Sequence, residues 1–392
     1  MDFSYSDEQR MLADLVTRVV ADHYAFEARE GYIASPEGHS PDVWAQFAEL
    51  GLLAVPFSES AGGFDGGGAE LMVVAEGLGR GLVVEPYLGR IVLAGCFLDA
   101  TLADDVKADT LEPLIMGEAR WALAVHEPAG RYDPYWIETT AVKDSQGWRL
   151  SGRKAAVLAG DSADHLIVIA RTSGDNPARS GLSAFWVDAD TSGVRRTGYT
   201  TIDGQRAAEI WLDDAAVDAD ALIGVEDDAG TALEYALDRG VVALCAEAAG
   251  AMEIACDLTL DYLKERKQFG VAIGSFQALQ HRMVDMRMNL EKVRSLTLWA
   301  ACSLEGDATE RRQRLASAKT MVGTAGRKLA EEAIQLFGGM GMMDESSVAH
   351  YAKRIIMIDH YLGDANFHKD RLLGMLAEES VALASGKTDQ AA

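Results

Sequence analysis

The sequence predicts an α+β chain in three parts: a helical domain, a β domain, and a helical bundle. Three observations carry this reading. Residues 1–115 place apolar side chains at spacings of three and four, as in DEQRMLADLVTRVVADHY, SPDVWAQFAELGLLA and GAELMVVAEGLGRGL, the period of an amphipathic helix. Residues 116–227 change to short β-branched or aromatic runs closed by Gly, Asp, Asn or Ser, at intervals of roughly ten residues. Residues 228–392 return to the helical period, over segments longer than about 25 residues without breakers, as in a bundle whose helices enclose one another. The expected architecture is an N-terminal helical domain (1–115), a middle antiparallel β-sandwich or barrel (116–227) and a C-terminal four-helix-bundle domain (228–392).

Taken in order, the first helix opens at Ser6. With Gln9 three residues on, Ser6 spells a capping box, and Asp7 and Glu8 suit the positive end of the helix dipole. This acidic, polar start is unlike a secretory signal or an Arg-rich transit peptide. The stretch SESAGGFDGGG (58–68) lacks the GxxxxGK pattern and a strand–GxGxxG–helix context, so a mobile loop between helices is expected there. The β zone contains seven runs: RWALAVHE, WIETTAVKD, GWRLSGRKAAVL, ADHLIVIART, GLSAFWVDA, GVRRTGY and AAEIWLDDAAV. Long helical patterns follow over Thr231–Arg266, Ser275–Glu305 and Thr309–Phe337. In DHYLGDANFH (359–368), Gly363, Asp364 and Asn366 break the period and make a sharp loop with one carboxylate at its bend.

Over 392 residues, of which 48% are apolar, the net charge is −25. That balance argues against nucleic acid and anionic membrane surfaces as partners. No run of eighteen apolar residues occurs, so no membrane span is expected. Cys96, Cys245, Cys256 and Cys302 show no CxxC spacing and sit among small apolar residues. A reducing cytoplasm and buried free thiols fit that usage. Eight scattered histidines without HxxxH spacing give no metal site.

Two stretches carry ligand chemistry. In YLKERKQFGVAIGSFQALQHRMVDM (262–286), Arg266 and Phe269 lie at i and i+3 where one long helix ends. Gly270 and Gly274 turn the chain, and Gln277, Gln280 and His281 share a face of the next helix. A cation, an aromatic ring and amides on adjoining helix ends suit a ligand combining phosphate with a flat ring, although capping and a solvated polar face would use the same residues. In EEAIQLFGGMGMMDES (331–346), Gln335 precedes Gly338, Gly339 and Gly341. Three glycines in four residues exceed what a helix C-cap requires, and they allow close backbone approach of the kind pyrophosphate sites use.

In this order, RKQFGxxIxxFQxxQH followed by QLFGGMG resembles the acyl-CoA dehydrogenase family, and the resemblance covers nearly the whole chain. It implies an FAD enzyme, usually a tetramer, with FAD sites shared across subunits of a homo- or hetero-oligomer (dimer or tetramer). By position, the FAD contacts would be Arg266, Phe269, Gln277, Gln335, Gly338 and Gly339. The reaction implied removes an α-proton and a β-hydride from an acyl-CoA to give a 2-enoyl-CoA, with electrons passed to an electron-transferring flavoprotein. The β zone departs from the family pattern. AVHEPAGRYDP (124–134) keeps Glu127, Pro128 and Gly130 but puts His126 where the family has a hydroxyl. KAAVLAG (154–160) has Ala156 for the family tryptophan and Leu158 for its threonine. Individual flavin contacts are not carried over in this zone.

Removing a proton next to a thioester needs a carboxylate within reach of the α-carbon. Many family members supply a glutamate from a YEGT loop; here the loop reads YLGD, with Leu362 at that position. Two replacements offer themselves. Asp364 lies two residues on, but Asp at a bend readily bonds its own backbone. Glu247, in VVALCAEAAGAMEIA, has Ala243, Leu244, Gly250 and Ala251 at i±3 and i±4, so its face points inward. A lone inward carboxylate is costly without a partner or a task. Burial of that kind is also how proteins tune general bases. The resemblance bears on this, since some family members, certain branched-chain and steroid side-chain enzymes among them, supply the base from this helix, although not always at the same position. Glu247 is therefore the favoured base and Asp364 the second; the competing role for Glu247 is pairing with a core arginine such as Arg239, or one from another helix. Glu253 and Asp257 fall on a more polar face, and Arg282 and Arg287 read as ion-pair partners or surface groups rather than CoA ligands. Two other functions stay open: a non-catalytic or half-site subunit of a hetero-oligomer, and a same-fold oxidase or monooxygenase. Ala156 and the displaced base point to a bulky, branched, cyclic or steroid-derived acyl group.

Overall fold

The capping box is formed. In the computed structural model, which describes residues 5–384, Ser6 Oγ accepts from the Gln9 amide at 3.1 Å and Gln9 Oε1 accepts from the Ser6 amide at 3.0 Å. The helix that follows is α1 (Asp7–His23), and α2 (Phe26–Ala34), α3 (Pro41–Glu49), α4 (Gly68–Gly81), α5 (Cys96–Thr101) and α6 (Asp104–Ile115) complete the N-terminal helical region. Gly77 and Gly81, one turn apart on α4, let α1 approach closely: a Cβ at either would lie within 2.5 Å of Val16 or Val20. A π-helical segment, Tyr87–Gly95, runs into α5. The glycine-rich stretch at 58–68 is a loop tied down by its own backbone. Asp65 N donates to Phe57 O at 2.7 Å and Gly66 N to Val55 O at 2.9 Å.

All seven predicted runs become strands: β1 (Trp121–Ala124), β2 (Thr140–Lys143), β3 (Gly147–Leu158), β4 (His165–Arg171), β5 (Leu182–Asp188), β6 (Val194–Thr200) and β7 (Arg206–Asp218). A short β8 (Leu222–Ile223) adds an eighth. The sheet order is β6-β7-β3-β2-β4-β5-β8, with β1 alongside β4. Neighbours are antiparallel except β1 with β4 and the single contact of β2 with β4, which are parallel. Alternate residues point to one face, and Trp148, Leu150, Val168, Phe185, Ile210 and Leu212 bury there. The Trp148 and Phe185 rings meet edge-on at 5.0 Å.

The chain divides into two compact units, 1–243 and 244–392, and α7 (Ala229–Glu265) begins in the first and ends in the second. Residues 241–250 of α7 are buried on every side, as expected of a helix that is apolar all round. A two-stranded hairpin, β9 (Lys267–Gln268) and β10 (Val271–Ala272), leads to α8 (Gln277–Ala301). Then come α9 (Ala308–Met321), α10 (Arg327–Phe337), α11 (Ser347–His360) and α12 (Ala365–Ala384).

The third long helix of the bundle differs from expectation. It is not continuous: a π turn at Val322–Gly326 separates α9 from α10. At Gly323 an added Cβ would lie 1.9 Å from Asp359 Oδ1 and 2.7 Å from Ala365 Cβ. The turn thus sits where the α11–α12 connection presses in. Cys302 also departs from expectation, being exposed just past the end of α8, whereas Cys96, Cys245 and Cys256 are buried. Among the described residues, no helix is long and apolar enough to cross a membrane.

Candidate active site

The two stretches singled out for their ligand chemistry meet through one ring contact. Tyr262, in the last turn of α7, stacks on Phe337, the last residue of α10, with ring centroids 4.4 Å apart and planes 13° from parallel. That stack sets the β9–β10 hairpin beside the Gly338–Gly339 turn. Phe269 heads the hairpin with φ +56° and is 90% exposed, meeting Phe276 edge-on at 6.3 Å. Arg266, Gln277, Gln335, Gly338 and Gly339 are exposed as well. Gly338 has φ +62°, and a Cβ added at Gly338 or Gly339 would meet nothing within 4 Å. An exposed cation, an exposed ring and two open glycines present a surface that a phosphate-bearing flat ligand can approach. Gln280 takes a different job, donating to Gly274 O at 2.9 Å and closing the turn.

Deeper in the same unit, Glu247 faces inward as its neighbours predict, and it has a partner that sequence reasoning did not name. Arg354 of α11 donates Nε to Glu247 Oε1 at 2.6 Å and Nη2 to Oε2 at 2.7 Å. Their side chains are 4% and 12% exposed. Such two-point charge-assisted bonds are short and directional. Arg239 lies elsewhere, with its guanidinium over the Tyr235 ring at 3.5 Å. The Arg354 guanidinium also lies 5.4 Å from the Tyr361 ring, so the YLGD turn and Glu247 share one arginine. Leu362 holds φ +54° and Gly363 φ +101°, a sharp left-handed pair.

Asp364 does what an aspartate at a bend does: Oδ1 accepts from the Phe367 amide at 2.8 Å and caps α12. Asp359 Oδ1 accepts from Ala365 N at 2.9 Å. Two buried side chains hold the turn between them. Lys319 of α9 donates to the carbonyls of Ile358, Asp359 and Gly363, and His368 Nε2 lies 2.9 Å from Leu362 O. Arg282 and Arg287 form ion pairs, with Glu332 and Asp257, and Arg294 pairs with Glu253.

In the first unit, Glu127 is structural. It accepts from Lys154 Nζ at 2.6 Å, from Glu138 N at 2.6 Å and from Thr139 N at 3.0 Å. Burial works against its charge, but Lys154 and these amides hold its carboxyl below the usual range. His126 next to it has both ring nitrogens buried without a partner. Burial, reinforced by Lys154, pushes the imidazole down to about 4, so it is neutral at pH 7.

Family models match the chain along nearly its whole length: the N-terminal domain of acyl-CoA dehydrogenase over residues 6–118, the middle domain over 122–215 and the C-terminal domain over 230–374. The chain belongs to the acyl-CoA dehydrogenase family. It is 30% identical over 354 residues to a probable acyl-CoA dehydrogenase, YngJ, of Bacillus subtilis, covering 89% of this chain and 92% of the relative. Among solved structures it resembles the Tcur3481-Tcur3483 steroid ACAD variant, with 29% identity, a TM-score of 0.85, and coverage of 96% of this chain and 99% of that one. It also resembles PigA with FAD and proline, with 25% identity, a TM-score of 0.87, and coverage of 96% and 99%.

This acyl-CoA dehydrogenase is an oxidoreductase, and its cofactor is FAD. The second unit offers features that fit the cofactor: the open Gly338–Gly339 turn, where a Cβ would meet nothing within 4 Å, and the exposed Arg266 and Phe269. Sequence reasoning missed Arg354, Lys319 and His368. A signal was present for Lys319, the one cation in LASAKTMV, whereas Arg354 follows a second cation, Lys353, in AKRIIMI.

Proposed function

We propose that this dehydrogenase removes the α-proton of an acyl-CoA with Glu247 and forms a 2-enoyl-CoA. The observation that supports this most is the placement of Glu247. In a chain whose YLGD turn carries Leu362 in place of an acid, Glu247 is an inward carboxylate linked through Arg354 to that same turn. Bound FAD supplies the acceptor for the β-hydride. Arg354 keeps one carboxylate oxygen as the other turns to the α-carbon, so the base is aimed without being buried as an unpaired charge. Asp364 stays at the head of α12, where its oxygen serves the Phe367 amide.

Arg266, Phe269, Gln277, Gln335, Gly338 and Gly339 would contact FAD, and their exposure on a single chain suits a cofactor shared with a neighbouring subunit in a dimer or tetramer. The electrons would leave through an electron-transferring flavoprotein. Ala156, small and exposed at φ +51°, and the likeness to a steroid ACAD favour a bulky, branched, cyclic or steroid-derived acyl group.

A second reading rests on the same ion pair. Both oxygens of Glu247 accept from Arg354, which also suits a structural glutamate in a half-site subunit whose partner chain provides the base. The test is to express the chain alone, record its visible spectrum and add acyl-CoAs without oxygen. Yellow protein bleached by substrate supports the dehydrogenase acting on its own. Flavin bound only after a second chain is added would favour the half-site subunit. Turnover that requires oxygen would favour an oxidase or monooxygenase.

A further inference from the structure

The α11–α12 connection is held from both sides by buried side chains that the reaction itself does not require. Lys319 is fully buried and spends its ammonium on three carbonyls: Ile358 at 2.8 Å, Asp359 at 2.9 Å and Gly363 at 2.6 Å. The first two belong to the last turn of α11, and the third to the left-handed turn beyond it. From the other side, His368 in the first turn of α12 meets Leu362 O at 2.9 Å through Nε2. Burial, and then the Lys319 charge, hold this imidazole down at about 3, so it is neutral and Nε2–H is the donor. A Cβ at Gly363 would lie 2.7 Å from the same Nε2, so only glycine fits beneath the ring. The π turn completes the seat, since Gly323 leaves room for the Asp359 carboxylate.

A buried ammonium is expensive unless every donor is used. Lys319 faces the Cys245 thiol from α7, Asp359 from α11 and Asp364 from the turn; burial lowers it to about 8 against these, so it remains cationic at neutral pH. Three bonds from one cation to one turn are more than α11 needs to end. Tyr361, between the carbonyls that Lys319 and His368 hold, lies beneath the Arg354 guanidinium.

We propose that Lys319 and His368 are positioning residues: they lock the Tyr361–Gly363 turn so that Tyr361 and Arg354 present Glu247 at a fixed place. The inference rests on Glu247 as the base, and its test separates the two ideas. The measurement is α-carbon hydrogen–deuterium exchange of an acyl-CoA in D2O, read by mass spectrometry on FAD-loaded protein, together with kcat and KM. A displacement of about 1 Å at a reacting group costs on the order of 10²-fold in rate. Lys319→Met should therefore lose about 10²-fold in exchange and in kcat, with KM within about threefold and FAD content unchanged. His368→Leu should lose about tenfold, and His368→Gln, which restores a donor, should recover most of it.

Wild-type exchange in Lys319→Met, with only a lower melting temperature, would overturn the proposal and leave a merely structural lysine. If Lys319→Met does not fold, the His368 pair decides: equal exchange in His368→Leu and His368→Gln would overturn it. If Glu247→Gln keeps its exchange while Lys319→Met loses it, Glu247 is not the base and the positioning of Glu247 is overturned, leaving only the effect of Lys319 on the turn.

Discussion

Replacing Arg354 by methionine removes the guanidinium and keeps an apolar chain of similar length. What remains is a carboxylate only 12% exposed with no partner for either oxygen. Two bonds of 2.6 and 2.7 Å are lost, along with the contact to the Tyr361 ring. Breaking a buried pair from one side costs about 3–5 kcal/mol, because the surviving charge is uncompensated. The ring contact adds roughly 1 kcal/mol. Arg354→Met should therefore destabilise the holoprotein by about 4–6 kcal/mol. The double variant Glu247→Gln/Arg354→Met leaves no unpaired charge at this position and should recover about 2–3 kcal/mol relative to the sum of the singles. Equilibrium urea unfolding of the four proteins, followed by far-UV circular dichroism, measures the cycle. A cost below about 1 kcal/mol, the range of solvent-exposed pairs, would refute the reasoning. So would strict additivity.

Acid should destabilise the fold over a defined window. Burial holds His39 and His126 at about 4 and His368 at about 3, against 6.5 when unfolded. The unfolded chain takes up protons that the native state refuses, so stability present above pH 6.5 falls as pH drops toward 4. Glu85, raised by burial to about 7, acts in the opposite sense, favouring the fold below 4.5 and disfavouring it as pH rises through 7. With three groups against one and about 1.4 kcal/mol per pKa unit, calorimetry should show a net loss of several kcal/mol between pH 6.5 and 4; a flat profile would contradict it. Arg266→Ala and Phe269→Ala should each weaken FAD binding about tenfold or more, read by flavin fluorescence, while shifting the melting temperature of the apoprotein by less than about 2 °C, since both are exposed. Gly323→Ala forces a methyl into Asp359 and should lower stability by about 2–3 kcal/mol; an unchanged urea midpoint would show that the π turn can relax.

What the sequence revealed was local. The capping box at Ser6 and Gln9 and the full extent of β3 follow from spacing within a few residues. The inward turn of Glu247 was legible for the same reason. Its partner was not, because Arg354 is 107 residues away and only the packing of α11 on α7 brings them together. The π turn was hidden likewise: VGTAG continues a helical pattern, and it is the Asp359 carboxylate from α11 that occupies the space at Gly323. Asp364 lay between these cases. Its sequence position allowed a base or a turn-former, and the bond to Phe367 N shows the second. The carbonyls that Lys319 and His368 hold carry no sequence signature, although Lys319 itself stands out as the one cation in LASAKTMV.

The most direct test of Glu247 as the base is deuterium exchange at the α-carbon in Glu247→Gln, with FAD occupancy matched to wild type and Asp364→Asn measured beside it. Exchange reads proton removal without hydride transfer, and glutamine keeps the side-chain shape while losing the basic oxygen. The account predicts a loss of at least about 10³-fold in Glu247→Gln and near-wild-type exchange in Asp364→Asn. Full exchange in Glu247→Gln would contradict it.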